Sequence, residues 1–274
     1  MNAVEYIRDS MRPLAPVSTG LEPRLPVIDG IKAVVFDLYG TLLVSAAGET
    51  STDSSLTPSR AERSVDAERN RALSEAILRH QELRRAEGIE YPEVEIREVW
   101  EEVTGETDQA EIEAIAIRHE CASNPVWPMP RAGEVIERLR RAGFSLGIIS
   151  NAQFYTLPVM EALFGASLDA LGFHPELQVF SFHEREGKPS LRLFSLLAAK
   201  AAVLGIAPEQ ILYLGNDLIK DVLPARAVGF RTGLYAGDAR SLRLGGLTFA
   251  AARDIPNVVI TDFRQLLRIF PRTP

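Results

Sequence analysis

The sequence predicts an α/β protein in which a helical domain is inserted after the first strand of a parallel β-sheet. Beyond residue 130, short apolar runs alternate with segments of helical pattern, which is typical of a parallel sheet with helices on both faces. Between residues 60 and 124, apolar residues recur at helical spacing among many charges, and no strand pattern interrupts them. The second region therefore predicts a separate all-helical unit.

The first strand is predicted at "KAVVFD" (32–37), a β-branched apolar run closed by Asp37, which suits a buried parallel strand. Residues 12–30 before it are rich in proline and glycine and indicate an irregular leader. Residues 45–59 after it are small and polar and indicate a mobile linker. Three prolines within 124–130 end the helical region, because proline cannot continue a helix.

The later elements alternate regularly. The strands are predicted at "FSLGIIS", "LQVFSF", "QILYLG", "RTGLY" and "NVVITD", and the helices at "AGEVIERLRRAG", "TLPVMEALFG", "SLRLFSLLAAKAAVLG", "LIKDVLPARAVG" and "FRQLLRIF". We therefore predict three parts: a leader over 1–30, an α/β core over 31–48 and 125–274, and the inserted helical domain over 49–124.

Composition limits the classes of partner. A formal net charge of −7 and a sequence pI of about 5.3 give no general attraction to nucleic acid or to anionic membranes. The single cysteine, Cys121, excludes an intramolecular disulfide and favours a reducing compartment. No apolar run is long enough to cross a bilayer, and the N-terminus has no secretory pattern. We expect a cytoplasmic protein that acts on a small molecule, and the oligomeric state stays open.

Polar residues follow four of the predicted strands, in the segments after their carboxyl ends. Ligands in parallel sheets bind at the carboxyl ends of the strands, so these residues are candidates for one site. Each alone has an ordinary structural role, such as a helix cap or a turn, but together they indicate chemistry. The residues are Asp37, Ser150, Asn151, Lys188, Asp217 and Asp221.

These positions resemble the four motifs of the haloacid dehalogenase superfamily of hydrolases over roughly residues 31–236. The resemblance implies a Rossmann-like core and a small helical cap between the first two motifs, where the helical domain is predicted. The motifs are "FDLYGT" with Asp37, Gly40 and Thr41, "LGIISN" with Ser150, "GKPSLRLF" with Lys188, and "YLGNDLIKD" with Asp217 and Asp221, into which Asn216 is inserted.

The resemblance also implies roles. Asp37 would be the nucleophile and form a covalent aspartyl intermediate. Mg²⁺ would be held by Asp37, Asp217 and the backbone carbonyl of Tyr39. Lys188 would neutralise charge between nucleophile and phosphate, and Asp221 would orient metal-bound waters or Lys188.

The remaining motif residues would bind the substrate. Ser150 and nearby backbone N–H groups would hold phosphoryl oxygens. Gly40 permits a tight turn that brings backbone N–H groups near the substrate. Tyr39, Thr41 and Asn151 complete the predicted substrate-binding set.

Tyr39 raises a conflict about the reaction. In phosphatases of the superfamily this position is an aspartate that acts as general acid and base, and tyrosine, with an ordinary pKa of about 10, is a poor base at neutral pH. In 2-haloacid dehalogenases, which use no metal, the position is typically tyrosine. The acidic fourth motif with Asp217 and Asp221 points the other way, towards a metal site.

We give the metal site more weight, because electrostatics at the reacting centre are usually the larger effect. The sequence therefore predicts a Mg²⁺-dependent phosphohydrolase that acts on a small phosphorylated metabolite. Two alternatives stay open: a dehalogenase-like hydrolase in which Asp37 attacks carbon without a metal, and a protein that binds a phosphorylated ligand or partner with little turnover.

Overall fold

The computed structural model of the protein describes residues 2–47 and 67–271. Most of the linker predicted over 45–59, and the predicted boundary at 48–49 between the core and the helical domain, lie outside the described residues. The strands are β1 (Ala33–Phe36), β2 (Leu43–Ser45), β3 (Val126–Pro128), β4 (Ser145–Ser150), β5 (Phe173–Phe180), β6 (Ile211–Gly215), β7 (Arg231–Tyr235) and β8 (Val258–Ile260).

Most of the helices lie between successive strands. The α-helices are α1 (Ala3–Ser10), α2 (Ala67–Ala86), α3 (Ile96–Thr104), α4 (Gln109–Ser123), α5 (Ala132–Arg141), α6 (Thr156–Phe164), α7 (Leu168–Leu171), α8 (Ser181–Glu184), α9 (Leu191–Val203), α10 (Leu223–Ala227) and α11 (Phe249–Ala252). Two 3₁₀ segments cover Pro208–Gln210 and Phe263–Arg268, and a π-helical turn covers Leu218–Val222.

Six strands form one sheet in the order β5-β4-β1-β6-β7-β8, and every adjacent pair is parallel. Phe36, the last residue of β1, is in register with Ile148 of β4 and Leu214 of β6. The three central strands therefore end at nearly the same level. The predicted α/β fold with a parallel sheet is confirmed.

The central strand is buried on both faces, because successive side chains of a strand point in opposite directions. Val34 and Phe36 pack into a core with α6 and the 3₁₀ segment at 263–268. Ala33 and Val35 pack into a second core with α9 on the other face. A strand covered on both sides reads as a continuous apolar run, and this is why β1 lacks polar alternation.

Three helices, α2, α3 and α4, make up the helical segment, residues 67–123. Local signals bound two of them: Glu95 and Asp108 accept backbone N–H groups at the starts of α3 and α4, and Gly105 ends α3 in the left-handed region at a φ of 69°. No named strand occurs among the described residues of this segment. The arrangement is consistent with an inserted helical domain, whose bounds stay a prediction.

A small antiparallel sheet, which the sequence pattern did not reveal, joins the two ends of the insertion. Ser45 of β2 lies opposite Val126 of β3, in the proline-containing run that was expected only to break a helix. β2 and β3 each contain three residues. Strands this short depend on pairing with a segment some 80 residues away, and no local pattern encodes that pairing.

The N-terminal leader is more ordered than predicted. Residues 3–10 form helix α1, which packs on α6 and contacts α4, and Ile7 is fully buried. Asn2 accepts backbone N–H groups at its start. Further along, the backbone N–H of Arg24 donates to Val259 and that of Ile28 to Ile269, so the irregular stretch also lies against the core.

Among the described residues, no helix is long and apolar enough to cross a membrane.

We expect Ile7→Ala to lower the free energy of unfolding by roughly 2–4 kcal/mol, because it leaves a cavity between α1 and the core. Urea unfolding followed by circular dichroism measures this value. Val17→Ala, at a side chain that is 50% exposed, is the control and should change stability by less than about 0.5 kcal/mol. Equal, small effects of both changes would mean that α1 contributes nothing to the stability of the core.

Candidate functional site

Asp37 lies directly after β1 at the carboxyl edge of the sheet. Its backbone N–H donates to the carbonyl oxygen of Leu214 at 2.9 Å and so continues the pairing of β1 with β6. The residue is only 5% exposed. Its Oδ1 atom accepts from Lys188 Nζ at 2.7 Å and from Ser150 Oγ at 2.9 Å. The first three motifs therefore converge on one carboxylate oxygen.

Lys188 is buried between two carboxylates. Its Nζ atom donates to Asp37 Oδ1 at 2.7 Å and to Asp221 Oδ1 at 2.6 Å. Asn151 holds the lysine backbone, since its Oδ1 accepts the Lys188 N–H at 2.7 Å and its Nδ2 donates to the Lys188 carbonyl at 3.4 Å. The predicted substrate-binding residue Asn151 thus also positions the lysine.

Burial and charge shift the pKa values of these groups in the directions expected for a desolvated ionic cluster. Burial raises the pKa of Asp37 to about 6; Lys188 opposes this effect and Asp221 adds to it. Burial acts to lower the pKa of Lys188, but Asp221 and Asp37 outweigh it and the pKa is raised. Burial, together with Asp221, also raises the pKa of Asp217. The cluster carries more negative charge than its lysine offsets.

Asp217 and Asp221 come together through the π-helical turn that follows β6. Asp217 Oδ1 accepts the N–H groups of Ile219 and Lys220 at 2.7 and 2.9 Å, and its own N–H donates to Asp221 Oδ2 at 3.0 Å. A Cβ atom at Gly215 would lie 2.4 Å from the Asp221 carboxylate, so only glycine allows this approach. The helix predicted over 218–229 begins as a π-helical turn, Leu218–Val222, which continues directly into α10.

The first motif forms a tight loop around Gly40. Its φ is 83°, and an added Cβ would lie 2.6 Å from Ser241 Cβ and 2.8 Å from Asn216 Nδ2. Thr41 is fully buried and its Oγ1 donates to Asn216 Oδ1 at 3.1 Å. Gly40 and Thr41 therefore tie the loop to the β6 loop, and their contact with a substrate stays a prediction.

The hydroxyl of Tyr39 pairs with a side chain of α6. It lies 2.9 Å from Thr156 Oγ1 at the start of α6, and the side chain is buried. Burial raises the pKa of Tyr39, and Glu120 raises it further. The phenol therefore stays protonated at neutral pH and does not replace a carboxylate as a general base.

A cavity of about 330 Å³ opens in front of Asp37, between the edge of the sheet and the helical segment. This volume suits a small molecule. Its lining residues are Asp37, Tyr39, Gln81, Arg85, Glu90, Tyr91, Pro92, Glu93, Asn151, Gly187, Lys188, Pro189, Asn216, Asp217, Lys220 and Asp221.

The oxygen donors at the cavity floor fit Mg²⁺. Asp37 and Asp217 each use Oδ1 for the hydrogen bonds described above, and Oδ2 of each makes none with the described residues. In the described part of the chain, no three His, Cys, Asp or Glu side chains are grouped to hold a metal. If the two carboxylates bound Mg²⁺, its other coordination positions would be filled by a backbone carbonyl and by waters. Mg²⁺ commonly binds proteins in this way, through one or two carboxylates with several waters retained.

Sequence reasoning missed Tyr213, which lies in β6 beneath the ionic cluster. Its hydroxyl accepts from Lys188 Nζ at 3.3 Å, and it lies 2.9 Å from Asp221 Oδ1 and 3.0 Å from the Ile149 carbonyl, to one of which it donates. The one signal in the sequence that could have identified Tyr213 is that it stands in an otherwise aliphatic strand. The cavity-lining residues of the helical segment carried no signal at all.

This fold and this edge of the sheet define the protein as a hydrolase with a Rossmann-like core. The chain belongs to the haloacid dehalogenase-like hydrolases, since the model of that family matches residues 31–229. The resemblance seen in the sequence is confirmed. A curated phosphoserine phosphatase from Thermus thermophilus is 32% identical over 137 residues. That alignment covers 49% of this chain and 50% of the relative, about half the length of each.

Solved structures of low identity share the fold. A dehalogenase matches with a TM-score of 0.55 at 17% identity, over 90% of this chain and 100% of that one. A HAD phosphatase from Thermococcus onnurineus matches with a TM-score of 0.53 at 19% identity, over 87% and 97%. The L-2-haloacid dehalogenase from Xanthobacter autotrophicus, with chloropropionic acid covalently bound, matches with a TM-score of 0.51 at 21% identity. The match covers 87% of this chain and 98% of that one. Because both kinds of enzyme share this fold, fold alone does not choose the reaction.

We expect Tyr213→Phe to lower the free energy of unfolding by about 1–2 kcal/mol. The buried Lys188 loses an acceptor, and either Asp221 or the Ile149 carbonyl loses a donor. Tyr235→Phe is the matched control: Tyr235 is also buried in a strand, and its hydroxyl makes no hydrogen bond with the described residues. Urea unfolding of both variants gives the comparison. A loss no larger than that of the control would remove Tyr213 from the cluster.

Proposed function

We propose that the protein is a Mg²⁺-dependent phosphohydrolase that acts on a small phosphorylated metabolite through an aspartyl-phosphate intermediate. One observation carries the proposal: Asp217 and Asp221 stand beside Asp37 with a single lysine between two of the three carboxylates. A floor this acidic repels an anionic substrate unless a cation is bound there. The fit of the oxygen donors to Mg²⁺ supports the same conclusion.

The first chemical step uses the Asp37 carboxylate as nucleophile. A carboxylate oxygen attacks phosphorus and forms a P–O bond, while the bond from phosphorus to the leaving oxygen breaks and that oxygen takes the electron pair. In the second step a water oxygen bonds to phosphorus while the bond from phosphorus to the Asp37 oxygen breaks. The proton of the water passes to solvent, inorganic phosphate leaves, and the Asp37 carboxylate is regenerated. When bound, Mg²⁺ would supply positive charge opposite the phosphoryl oxygens, held by Asp37, Asp217 and the Tyr39 carbonyl.

The neighbouring residues neutralise negative charge and keep the reacting groups in position during both steps. Lys188 remains protonated between Asp37 and Asp221 and offsets the negative charge of the nucleophile and phosphoryl group. Ser150, whose hydroxyl donates to Asp37, turns that donor towards a phosphoryl oxygen when the substrate binds. Asn151 keeps the Lys188 backbone in place, and Asp221 keeps the lysine side chain directed at the nucleophile.

The proposed enzyme lacks a general acid for the leaving group. Tyr39 occupies the position of the usual aspartate, and its hydroxyl pairs with Thr156. The leaving oxygen therefore takes its proton from water. Loss of one acid–base group costs a factor of roughly 10²–10⁴ in rate, which matters least for acyl and aryl phosphates with their weakly basic leaving groups.

A dehalogenase-like reaction is the second candidate, and Tyr39 is the observation in its favour. The acidic pair Asp217 and Asp221 counts against it, because a haloacid carboxylate would enter a negatively charged floor without a metal. The third candidate, a binding protein with little turnover, does not explain why a nucleophile and a lysine are held 2.7 Å apart in a cavity.

A substrate panel tests the proposal directly. The panel contains O-phosphoserine, since the Thermus thermophilus relative is named a phosphoserine phosphatase, together with acetyl phosphate, p-nitrophenyl phosphate and 2-chloropropionate. We expect phosphate release that requires Mg²⁺ and stops with EDTA. Halide release with EDTA present, and no phosphate release with Mg²⁺, would instead establish the dehalogenase reaction.

Asp217→Asn should weaken Mg²⁺ binding at least about tenfold, because a neutral amide replaces a carboxylate ligand. Asparagine preserves the cap on the π turn, so the local backbone is kept. Isothermal titration calorimetry measures both affinities. Asp169→Asn, at an exposed acid on α7, is the control with unchanged affinity. Equal binding by wild type and Asp217→Asn would exclude Asp217 as a ligand.

Turnover should rise steeply as the basicity of the leaving group falls, because no protein group protonates the leaving oxygen. A series of aryl phosphates gives the slope of log kcat/KM against the leaving-group pKa. Tyr39→Asp should flatten this slope by accelerating the poor leaving groups most, whereas Tyr39→Phe, which removes only the hydroxyl, should keep the wild-type slope.

The control for chemistry is Asp37→Asn, which should abolish turnover of every member of the series since the nucleophile is gone. A flat slope in the wild type would mean that another group donates the proton. Retained turnover in Asp37→Asn would remove the aspartyl intermediate from the mechanism.

A further inference from the structure

The arginines of the helical segment are nearly all paired. Five of its seven arginines form ion pairs with glutamates, and Arg69 has an interaction of its own. Arg85, in the last turn of α2, makes no ion pair or hydrogen bond with the described residues. It is also the arginine of this segment that lines the cavity. Arg85 is therefore the one arginine of the helical segment without a partner among the described residues, and it lies at the candidate active site.

Two acidic side chains, Glu90 and Glu93, line the cavity together with Arg85. Both oxygens of Glu93 accept hydrogen bonds, from Ser181 Oγ at 2.8 Å on one side and from Gln153 and the Val94 N–H on the other. Glu90 is exposed and lines the same wall. Both carboxylates keep their negative charge, so Arg85 is the one cationic side chain among the described lining residues of the helical segment. The opposite wall at Asp37 is the proposed position of the phosphoryl group.

A second residue on the same face of α2 also has an unmet hydrogen bond. Gln81 lies one turn before Arg85, so both side chains project from the same side of the helix. Gln81 lines the cavity, is 8% exposed, and its buried Oε1 has no hydrogen-bond partner in the described part of the chain. A buried amide without a partner costs about 1–3 kcal/mol. A ligand that carries a donor would satisfy this oxygen. The soft terminal torsion of glutamine would equally let the amide N–H group turn towards an acceptor such as a carboxylate.

We propose that Arg85 binds a carboxylate on the leaving group, so that the enzyme selects small phosphate esters whose leaving group is itself an acid. This proposal rests on the proposed phosphohydrolase function and names its substrate class. A carboxylate matches the planar guanidinium with two parallel hydrogen bonds. It also carries one charge where a second phosphate carries up to two, and so is repelled less by Glu90 and Glu93, which line the same wall.

Binding of a matched pair of non-hydrolysable ligands tests the proposal. 4-(Phosphonomethyl)benzoate and 4-(phosphonomethyl)benzamide have nearly the same shape and differ in the charge at the end remote from the phosphonate. Calorimetry in Mg²⁺ should give about tenfold tighter binding of the benzoate to the wild type, as expected for a partly solvated charge-assisted contact. Arg85→Gln should bind both ligands equally, and Arg85→Lys should keep part of the preference.

Arg79→Gln is the matched control, since it removes the same charge from the same helix at a residue that pairs with Glu102 outside the cavity. It should keep the full preference for the benzoate. Equal affinities of the two ligands for the wild type, no binding of either, or a preference that survives in Arg85→Gln would each overturn the role of Arg85.

A neutral ester separates this proposal from the proposed function. 4-Carbamoylphenyl phosphate has an activated leaving group and no carboxylate, so the wild type with Mg²⁺ should release phosphate from it whether or not Arg85 acts. Failure of that hydrolysis would overturn the phosphohydrolase assignment, while the ligand affinities would still decide what Arg85 binds. Hydrolysis with equal ligand affinities would overturn the Arg85 subsite alone.

Discussion

The ammonium group of Lys188, shared between the carboxylates of Asp37 and Asp221, is the interaction on which the site depends. Removing three charged groups from water is costly, and the attraction between them offsets that cost only when the geometry is close and the remaining hydrogen bonds are satisfied. Here Asn151 holds the lysine backbone and Tyr213 supports both the lysine and Asp221 from below. Four chain segments are thereby locked at one edge of the sheet.

Close approach at this edge requires residues without side chains. Gly215 leaves room for the Asp221 carboxylate, and Gly40 lets the first loop pass against Asn216 and Ser241 with a positive φ. A side chain at either glycine would overlap a neighbour that the site needs in place. The sheet supplies the common level of the strand ends, and these glycines allow the loops to converge on it.

The two walls of the cavity differ in how they are built. The sheet edge is extensively hydrogen-bonded, and its charges belong to one cluster around Asp37. The helical segment instead presents Gln81 and Arg85 with hydrogen-bonding capacity that the described residues leave unused. Side chains whose hydrogen bonds are not made within the protein can discriminate between ligands. They gain those hydrogen bonds only when a suitable ligand binds, so their contribution appears in the binding free energy. In the proposed function, the sheet edge carries out the reaction and the helical segment selects the substrate.

The sequence by itself determined the parallel sheet, the helical region and the strand-end residues such as Asp37 and Lys188. Short apolar runs and helical spacing are local signals, and the carboxyl ends of parallel strands necessarily share an edge. Only the tertiary structure decided that α1 packs on the core, that β2 pairs with β3, that Tyr39 faces Thr156, and that Arg85 has no partner among the described residues. Each of those outcomes depends on contacts between residues distant in the chain, whose geometry no local pattern of side chains encodes.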